Sequence, residues 1–213
     1  LVNGEQGESN KTPPVHLAMM DKLASPERYI ANLCHRGLGK TTVFAEYLVL
    51  YVAVFGSIPY LPNIDGIIYV AATMEGGAKD LRKNIEFRYE QSDFLKSWLP
   101  KVHFTDAYME FKNKENKVLG VKSYGAQTGI RGSKIYGKRP QLAILDDLLS
   151  DDDAKSEVVM NAIKDTIYKG VFHALDPVKK KIIFNGTPFH SQDILVEAVE
   201  SGGWNVNVWP VCE

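Results

Sequence analysis

The sequence predicts an α/β fold in which a mostly parallel sheet is flanked by helices on both faces. Three short apolar segments without polar alternation carry this prediction: GIIYVAAT (66–73), QLAILDD (141–147) and KIIFNGTPF (181–189). Uninterrupted apolar strands are typical of parallel sheets that are buried on both faces. Segments of helical length separate them, and this alternation is typical of sheets covered by their crossover helices.

The first half of the chain contains four further elements around the strand 66–73. RYIANLC (28–34) predicts an apolar strand, and after a glycine-rich loop the run over 40–56 predicts a long apolar helix. The apolar spacing in 74–91 is that of an amphipathic helix. Two alternating segments flank KEN within 107–125, which predicts a hairpin.

The second half repeats the alternation. After the strand 141–147, residues 152–175 predict a long helix, which leads to the strand 181–189. A short helix over 193–201 and a strand over 204–211 complete the pattern. Residues 1–14 are polar, with glycine and proline, and are expected to be poorly ordered, so that one domain spans 15–213.

Composition restricts the function. The 213 residues are 45% hydrophobic and 24% charged, as in a soluble globular domain. No apolar run approaches the roughly 20 residues of a membrane helix, so no membrane partner is expected. The net charge of -1 argues against a stand-alone, high-affinity DNA binder and leaves weaker or shared DNA contact open. Two cysteines, Cys34 and Cys212, fit neither a disulfide framework nor a metal site, which favours a reducing compartment.

A variant phosphate-binding loop lies within ANLCHRGLGKTTVF (31–44). Gly39, Lys40 and Thr41 match the second half of G-x-x-x-x-G-K-[ST], whereas Cys34 occupies the place of the first glycine. The motif follows a strand and opens a helix, which directs backbone N–H groups and the helix dipole at a phosphate. Lys40 is expected to reach the β- and γ-phosphates of ATP, and Thr41 to bind Mg²⁺. The alternative is a glycine-containing turn without a ligand. The predicted nucleotide-binding residues are Arg36, Gly37, Leu38, Gly39, Lys40, Thr41 and Thr42.

Two acids end the strand LAILDD. Asp146 is predicted to hold Mg²⁺, because a carboxylate directly after buried strand residues requires a cation. Asp147 is predicted to orient or deprotonate the attacking water. The alternative is an acidic helix N-terminus, and this capping role is assigned to Asp151–Asp153.

A third strand also ends in polar residues. Asn185, Gly186 and Thr187 follow the apolar part of 181–189, and in parallel sheets the strands' carboxyl ends form the edge where ligands bind. An ordinary turn is the alternative. Three polar strand ends in one domain together favour a nucleotide site.

These motifs together resemble the ATPase domain of the viral terminase large subunit. The resemblance rests on Arg-Gly-x-Gly-Lys-Thr without a first glycine, on GIRGSKIYGKRPQLAILDD (129–147), on the Gly-Thr-Pro of NGTPFH (185–190) and on WNVNVWPVCE (204–213). It covers the chain from about residue 27 to the end. It implies a P-loop NTPase fold of the RecA/ASCE type.

The resemblance also implies a function. Such a domain hydrolyses ATP with Mg²⁺ and thereby moves double-stranded viral DNA into a procapsid, in the cytoplasm of the infected host cell. The implied partners are double-stranded DNA, copies of the chain in a ring on a portal, and the small terminase subunit. A C-terminal nuclease domain belongs to the full-length protein, and no nuclease activity is expected from this chain.

The resemblance assigns roles to single residues. It implies that Arg36 acts on the γ-phosphate in cis and that 185–187 form a coupling motif. The family commonly pairs Asp with Glu in the acidic motif, whereas this chain has Asp147 as the second acid. One lobe cannot supply an opposing arginine finger to its own site, so Arg131, between Gly129 and Gly132, is predicted to act on a neighbouring subunit, with Arg139 as the second candidate.

Other interpretations stay open. The chain fits a helicase-like DNA translocase lobe, a small-molecule kinase, or a nucleotide switch that barely hydrolyses because Asp147 replaces Glu. Arg28 and Tyr29 are candidates for adenine contact by position alone. Six lysines are predicted to be solvated rather than DNA-binding: Lys112, Lys114, Lys117 and 179–181.

Overall fold

A single sheet organises the protein, which is described here as a computed structural model covering residues 12–149, 156–188 and 193–210. The strands are β1 (Tyr29–Cys34), β2 (Gly66–Ala71), β3 (Lys101–Phe104), β4 (Tyr108–Lys112), β5 (Val118–Gly125), β6 (Leu142–Asp146), β7 (Lys181–Gly186) and β8 (Asn205–Trp209). Their order across the sheet is β3-β4-β5-β2-β6-β7-β1-β8.

The sheet is parallel over most of its width. All pairs from β5 to β8 are parallel, and only the pairs β3–β4 and β4–β5 are antiparallel. The predicted mostly parallel sheet and the predicted hairpin, formed by β4 and β5, are confirmed. The carboxyl ends of β2, β6, β7 and β1 therefore meet at one edge, with β7 between β1 and β6.

Helices cover both faces, as the sequence predicts. The α-helices are α1 (Pro14–Leu23), α2 (Leu48–Phe55), α3 (Lys79–Gln91), α4 (Asp93–Trp98), α5 (Glu157–Asp165), α6 (Phe172–Ala174) and α7 (Ile194–Glu200). Three π-helical segments, Thr42–Tyr47, Met74–Ala78 and Thr166–Val171, run into α2, α3 and α6. Helices α1 and α4 and strand β3 were not predicted. Within the described ranges, no helix has the length and apolar character needed to cross a membrane.

The two faces of the sheet bury separate cores. Along β2, Ile67 and Tyr69 pack into the core beneath α1–α4, whereas Ile68 and Val70 pack into the core beneath α5–α7. All six residues of β2 are buried, which explains why the strand shows no polar alternation. The helix predicted over 152–175 is present from Ser156 onward, where the Ser156 hydroxyl accepts a hydrogen bond from the Val159 N–H. The predicted cap residues Asp151–Asp153 lie outside the described residues.

Lys181 attaches α1 to the sheet, and the prediction that this lysine is solvated is wrong. Its side chain is buried, and Nζ donates to the carbonyls of Leu23 at 3.0 Å and Ser25 at 2.6 Å, just at the end of α1. Burial lowers the pKa of Lys181 to about 8, since the ammonium loses its hydration. The two carbonyls and the C-terminal end of the helix favour the charged form in return. A lysine at the start of an apolar strand thus caps a distant helix.

We expect Lys181→Met to lower the free energy of unfolding by about 1–3 kcal/mol, because two buried carbonyls lose their charged donor while the aliphatic stem is retained. Urea denaturation at pH 7 measures the effect. Lys179→Met, at an exposed neighbouring position, is the control and should change the stability little. Equal stability of the Lys181 variant and the unchanged chain would mean that burying the ammonium costs as much as its hydrogen bonds contribute.

Candidate nucleotide-binding site

The loop between β1 and the following helix has the backbone geometry of an anion-binding loop. Gly37 and Gly39 have φ angles of 82° and 74°, a left-handed conformation that glycine adopts without steric cost. A Cβ atom at Gly37 would meet nothing within 4 Å, so this part of the loop faces open space. Lys40 opens the helix directly behind the loop. Unpaired N–H groups at such a helix start are suited to a phosphate.

Cys34 shows why the missing first glycine is tolerated. It is the last residue of β1, its side chain is 2% exposed, and it belongs to the core under α1–α4. The left-handed turn begins only later, at Gly37, so no glycine is required at the strand end. Burial raises the pKa of the Cys34 thiol to about 12, and the residue therefore acts as an apolar core side chain.

Helix α1 contacts the loop through His16. His16 Nε2 lies 2.7 Å from the carbonyl oxygen of Leu38, and a Cβ atom at Gly39 would approach the same ring nitrogen to 3.1 Å. The absence of a side chain at Gly39 thus makes room for His16. No pattern in the sequence predicted this contact, because α1 itself was not predicted. The sequence signal for α1 is Pro14 at the first helical position, followed by the apolar residues of PVHLAMMDKL.

Asp146 is the most deeply buried acid of the site. Its Oδ2 accepts hydrogen bonds from the hydroxyls of Thr41 at 2.6 Å and Tyr69 at 3.3 Å. Burial raises the pKa of Asp146 to about 6, and the nearby Asp147 adds to this, whereas the Thr41 hydroxyl, Lys40 and Tyr69 oppose it. Burial also raises the pKa of Tyr69 well above its usual value, so its hydroxyl remains a donor. The carboxylate is thus held by two hydroxyls in an apolar environment.

The remaining oxygen of Asp146 fits a magnesium ligand. Oδ1 is buried and has no hydrogen-bond partner among the residues that the structure describes. A carboxylate and a hydroxyl are hard oxygen ligands, which Mg²⁺ prefers, and Mg²⁺ commonly takes one or two carboxylates together with substrate phosphates. Within the described part of the chain no three His, Cys, Asp or Glu side chains form a metal cluster. The site therefore fits Mg²⁺ that arrives with phosphates better than a metal held by protein alone.

Asp147 lies beside the phosphate-loop lysine. Its Oδ2 is 2.8 Å from Lys40 Nζ, and Lys40 also donates to the Thr187 hydroxyl at 3.3 Å. Asp147 has a positive φ of 44°, and its N–H donates to the carbonyl of Asn185 at 3.0 Å. Such backbone conformations are uncommon outside glycine and persist where the surroundings enforce them. This turn brings the Asp147 side chain over to Lys40, on the loop two strands away.

The third polar strand end completes the edge. Asn185 and Gly186 end β7, and Thr187 follows directly. Asn185 lies in register with Asp146 on one side and with Asn32 of β1 on the other. The sequence thus predicted correctly that the phosphate loop, the acidic strand end and the Asn-Gly-Thr segment lie together.

An open cleft of about 530 Å³ adjoins these residues. Arg36, Thr41, Asp146 and Asp147 line it, together with residues of the π-helical segment Met74–Ala78 and of the start of α3. Its size is within the usual range for small-molecule sites. The structure thus brings Arg36 to the same cleft as the two acids.

The two candidate finger arginines lie elsewhere. Arg131 is exposed in the loop after β5 and does not line the cleft. Arg139 Nη1 donates to the carbonyls of His173 at 2.9 Å and Leu175 at 3.5 Å, near the end of α6. Arg139 is thereby held by its own chain, whereas Arg131 is exposed.

The suggestion that Arg28 and Tyr29 contact adenine stays a prediction, and the place of Tyr29 in the sheet does not favour it. Tyr29 is the first residue of β1 and lies about 17 Å from the loop end of that strand, at about 3.3 Å per residue. Its ring packs against Phe172 and Trp204, with ring centroids 5.3 and 5.6 Å apart, in the core on the other face of the sheet. Strand position alone did not distinguish the two ends of β1.

A parallel sheet with a glycine loop between its first strand and the following helix, and with an acid at the end of the strand two places away, defines the P-loop NTPase fold. Three solved structures share this fold. An arginine-to-alanine variant of the Thermus phage P74-26 large terminase ATPase domain matches with a TM-score of 0.60 and 13% identity, over 88% of this chain and 69% of that one. A large terminase from a second thermophilic bacteriophage matches with a TM-score of 0.59 and 13% identity, over 93% of this chain. The Phi-28 gp11 DNA packaging motor matches with a TM-score of 0.52 and 12% identity, over 91% of this chain.

These likenesses confirm the fold that the family resemblance implied. The chain spans 44% of the second terminase and 59% of the packaging motor. No model of a protein family matches the sequence, and no characterised protein matches it by sequence. At 12–13% identity the likeness concerns the fold alone.

Burial of Asp146 predicts that the free energy of unfolding decreases as the pH rises. The carboxyl keeps its proton up to about pH 6 in the folded chain and loses it near pH 3.8 in the unfolded chain. Between these values the folded state binds more protons, so stability falls as the pH rises. We expect Asp146→Asn, which cannot ionise, to raise the free energy of unfolding by about 1–3 kcal/mol at pH 8 in metal-free buffer.

The gain should vanish below about pH 4, where wild-type Asp146 is neutral in both states. Chemical denaturation across pH 3.5–8 with a chelator present measures it. Asp147→Asn is the matched control and should give no gain, because its partly exposed side chain pairs with Lys40. A gain for Asp146→Asn that is equal at all pH values would contradict the burial argument.

Proposed function

We propose that this chain is a Mg²⁺-dependent ATPase and works as the ATPase domain of a viral DNA-packaging motor. One observation supports the proposed ATPase activity most directly. The phosphate-loop residues Lys40 and Thr41 lie within hydrogen-bond distance of the strand-end acids Asp147 and Asp146, at 2.8 and 2.6 Å. A phosphate-binding cation, a metal-binding hydroxyl and two carboxylates thus share one sheet edge, which is the set that phosphoryl transfer requires.

The residues of the site have separate roles. The loop N–H groups and Lys40 would bind the phosphates, while Thr41 and Asp146 would hold Mg²⁺. The metal ion would supply positive charge that offsets the charge of the phosphates. Arg36 lines the cleft and adds a guanidinium, which can form two parallel hydrogen bonds to phosphate oxygens.

Asp147 acts on the attacking water after Lys40 has changed partners. In the structure, Lys40 is paired with Asp147. Phosphate oxygens compete for the ammonium because they carry more negative charge than one carboxylate. Binding of ATP thereby frees the Asp147 carboxylate, which then orients or deprotonates the water. The same residue pair thus couples nucleotide binding to activation of the base.

The packaging part rests on the fold. The structural neighbours are large terminases and a packaging motor, all at low identity. The proposed partners are double-stranded DNA, further copies of the chain in a ring on a portal, the small terminase subunit and a C-terminal nuclease domain of the full-length protein, in the cytoplasm of an infected cell. The segment 185–187 would couple hydrolysis to movement, since Thr187 contacts Lys40.

The two acids should have separable effects. We expect Asp147→Asn to retain Mg-ATP affinity and to lose turnover by about 100-fold or more, because it removes a general base. Asp146→Ala should lose the Mg²⁺-dependent part of the affinity. Lys40→Ala should weaken nucleotide binding and abolish hydrolysis. Calorimetric titration and a phosphate-release assay measure both quantities.

Lys83→Ala, at an exposed position on α3, is the control for loss of a lysine. Equal loss of affinity in both acid variants would show that their roles are divided wrongly. Normal turnover in Lys40→Ala would exclude the phosphate-loop assignment. Tight binding with negligible turnover in the unchanged chain, also with DNA and in assembled form, would favour the nucleotide switch.

The two arginines are proposed to act differently, Arg36 within its own chain and Arg131 on a neighbour. Each alanine variant alone should bind ATP and hydrolyse it poorly, because the charge each arginine meets grows in the transition state. Mixing with Lys40→Ala chains should restore turnover only for Arg131→Ala, since those chains lend an intact Arg131 to an intact loop. Phosphate release is measured over a range of protein concentrations, with DNA. Rescue of neither variant, with specific activity constant over concentration, would exclude the trans finger.

A further inference from the structure

A row of polar side chains crosses the sheet from the acidic strand end to the edge strand. Asp146, Asn185, Asn32 and Asn207 occupy adjacent register positions on β6, β7, β1 and β8. Asn32 and Asn185 are fully buried, and Asn207 is 8% exposed. Buried amides are costly unless they are hydrogen-bonded, so the bonds within this row determine how each amide is oriented.

The orientation of Asn32 follows from Trp209. The indole Nε1–H of Trp209 lies 3.1 Å from Asn32 and is a donor only, so the atom it contacts must be the amide oxygen. Asn207 Nδ2 donates to the same oxygen at 3.3 Å. Asn32 therefore presents its Nδ2 to the other side, toward β7.

The orientation of Asn185 follows in turn. Asn32 Nδ2 lies 2.9 Å from Asn185, and because Nδ2 is a donor, the contacted atom of Asn185 must be Oδ1. Asn185 then has its own Nδ2 on the side away from Asn32. This Nδ2 has no hydrogen-bond partner among the described residues, and neither has Asp146 Oδ1 at the next register position. An unpaired buried donor and an unpaired buried acceptor thus lie on neighbouring strands at the proposed site.

We infer that Trp209, through Asn32, sets the amide of Asn185 so that it presents a donor rather than an acceptor to the γ-phosphate of bound ATP. This inference rests on the proposed function. Phosphate oxygens are acceptors, so an inverted amide would present its own oxygen to them and lose the hydrogen bond. ADP lacks the γ-phosphate and is indifferent to the inversion. Trp209 and Asn32 are positioning residues, and Asn185 is the residue that discriminates ATP from ADP.

The test compares two variants that each remove one donor from the same oxygen of Asn32. Trp209→Phe removes the only donor that cannot accept, so Asn32 and Asn185 can invert. Asn207→Ala leaves the indole in place and the orientation fixed. The ratio of affinities for a non-hydrolysable ATP analogue and for ADP, both with Mg²⁺, is measured by calorimetry. We expect the ratio to fall about 3- to 10-fold in Trp209→Phe and to stay unchanged in Asn207→Ala.

A double-mutant cycle with Asn185→Ala separates the relay from a general structural effect. Asn185→Ala should lower the ratio by itself, and Trp209→Phe should then cause no further loss. Equal losses in Trp209→Phe and Asn207→Ala, or additive losses in the double variant, would overturn the relay. Thermal denaturation identifies the folded variants. If Trp209→Phe does not fold, Asn32→Ala, which interrupts the same chain, must lower the ratio as Asn185→Ala does.

A measurement without nucleotide distinguishes the relay from the proposed function. The indole N–H of Trp209 should exchange slowly with solvent, as seen by NMR, because it donates to a buried amide. Rapid exchange would contradict the relay whatever the chain binds. If exchange is slow and the unchanged chain still prefers neither nucleotide, the role of Asn185 is wrong, whereas lack of phosphate release by the unchanged chain would overturn the proposed ATPase.

Discussion

Burial of the Asp146 carboxylate is the constraint around which the site is built. An ionisable group at the end of a strand that is otherwise apolar needs partners, and the chain supplies two hydroxyls from different elements. The Thr41 contact fixes the start of the phosphate-loop helix relative to β6, across the intervening strand β7. The loop, the acid and the strand between them are thereby held in one arrangement. The raised pKa of Asp146 reflects the cost of this arrangement, since the charge of the buried carboxylate is only partly compensated until a cation binds.

The phosphate loop is held from outside as well as by its own glycines. Gly37 and Gly39 permit the turn, while His16 of α1 contacts the carbonyl of Leu38 and fills the space that a side chain at residue 39 would occupy. Helix α1 is itself attached through Lys181, at the opposite end of β7 from Asn185. Strand β7 therefore contributes to the loop at both ends, once through α1 and once through Thr187, which contacts Lys40.

Local patterns in the sequence were sufficient for the strands of the sheet other than β3, for the loop and for the three polar strand ends. Buried strands, glycine and acids each leave a signal within a few residues. What could not be predicted depends on pairing across the sheet. Lys181 and Tyr29 each begin a strand. Lys181 caps the distant helix α1, whereas Tyr29 packs against Phe172 in the core beneath α5–α7. Neither contact has a local signal in the sequence. Asn32 looks like an interruption of an apolar strand, and only the registers of β7 and β8 show its partners.

The place of β8 has a consequence for how the domain matures. The polar row joins Asn32 to Asn207, which are 175 positions apart, so the contact is among the most non-local in the fold. Contacts of such separation form late and slowly, because loop closure must precede them. During synthesis the phosphate loop and both acids emerge before β8 does. A nascent chain can therefore fold most of its sheet while the Asn185 amide can still adopt either orientation. It acquires a defined nucleotide preference only when β8 has paired with β1.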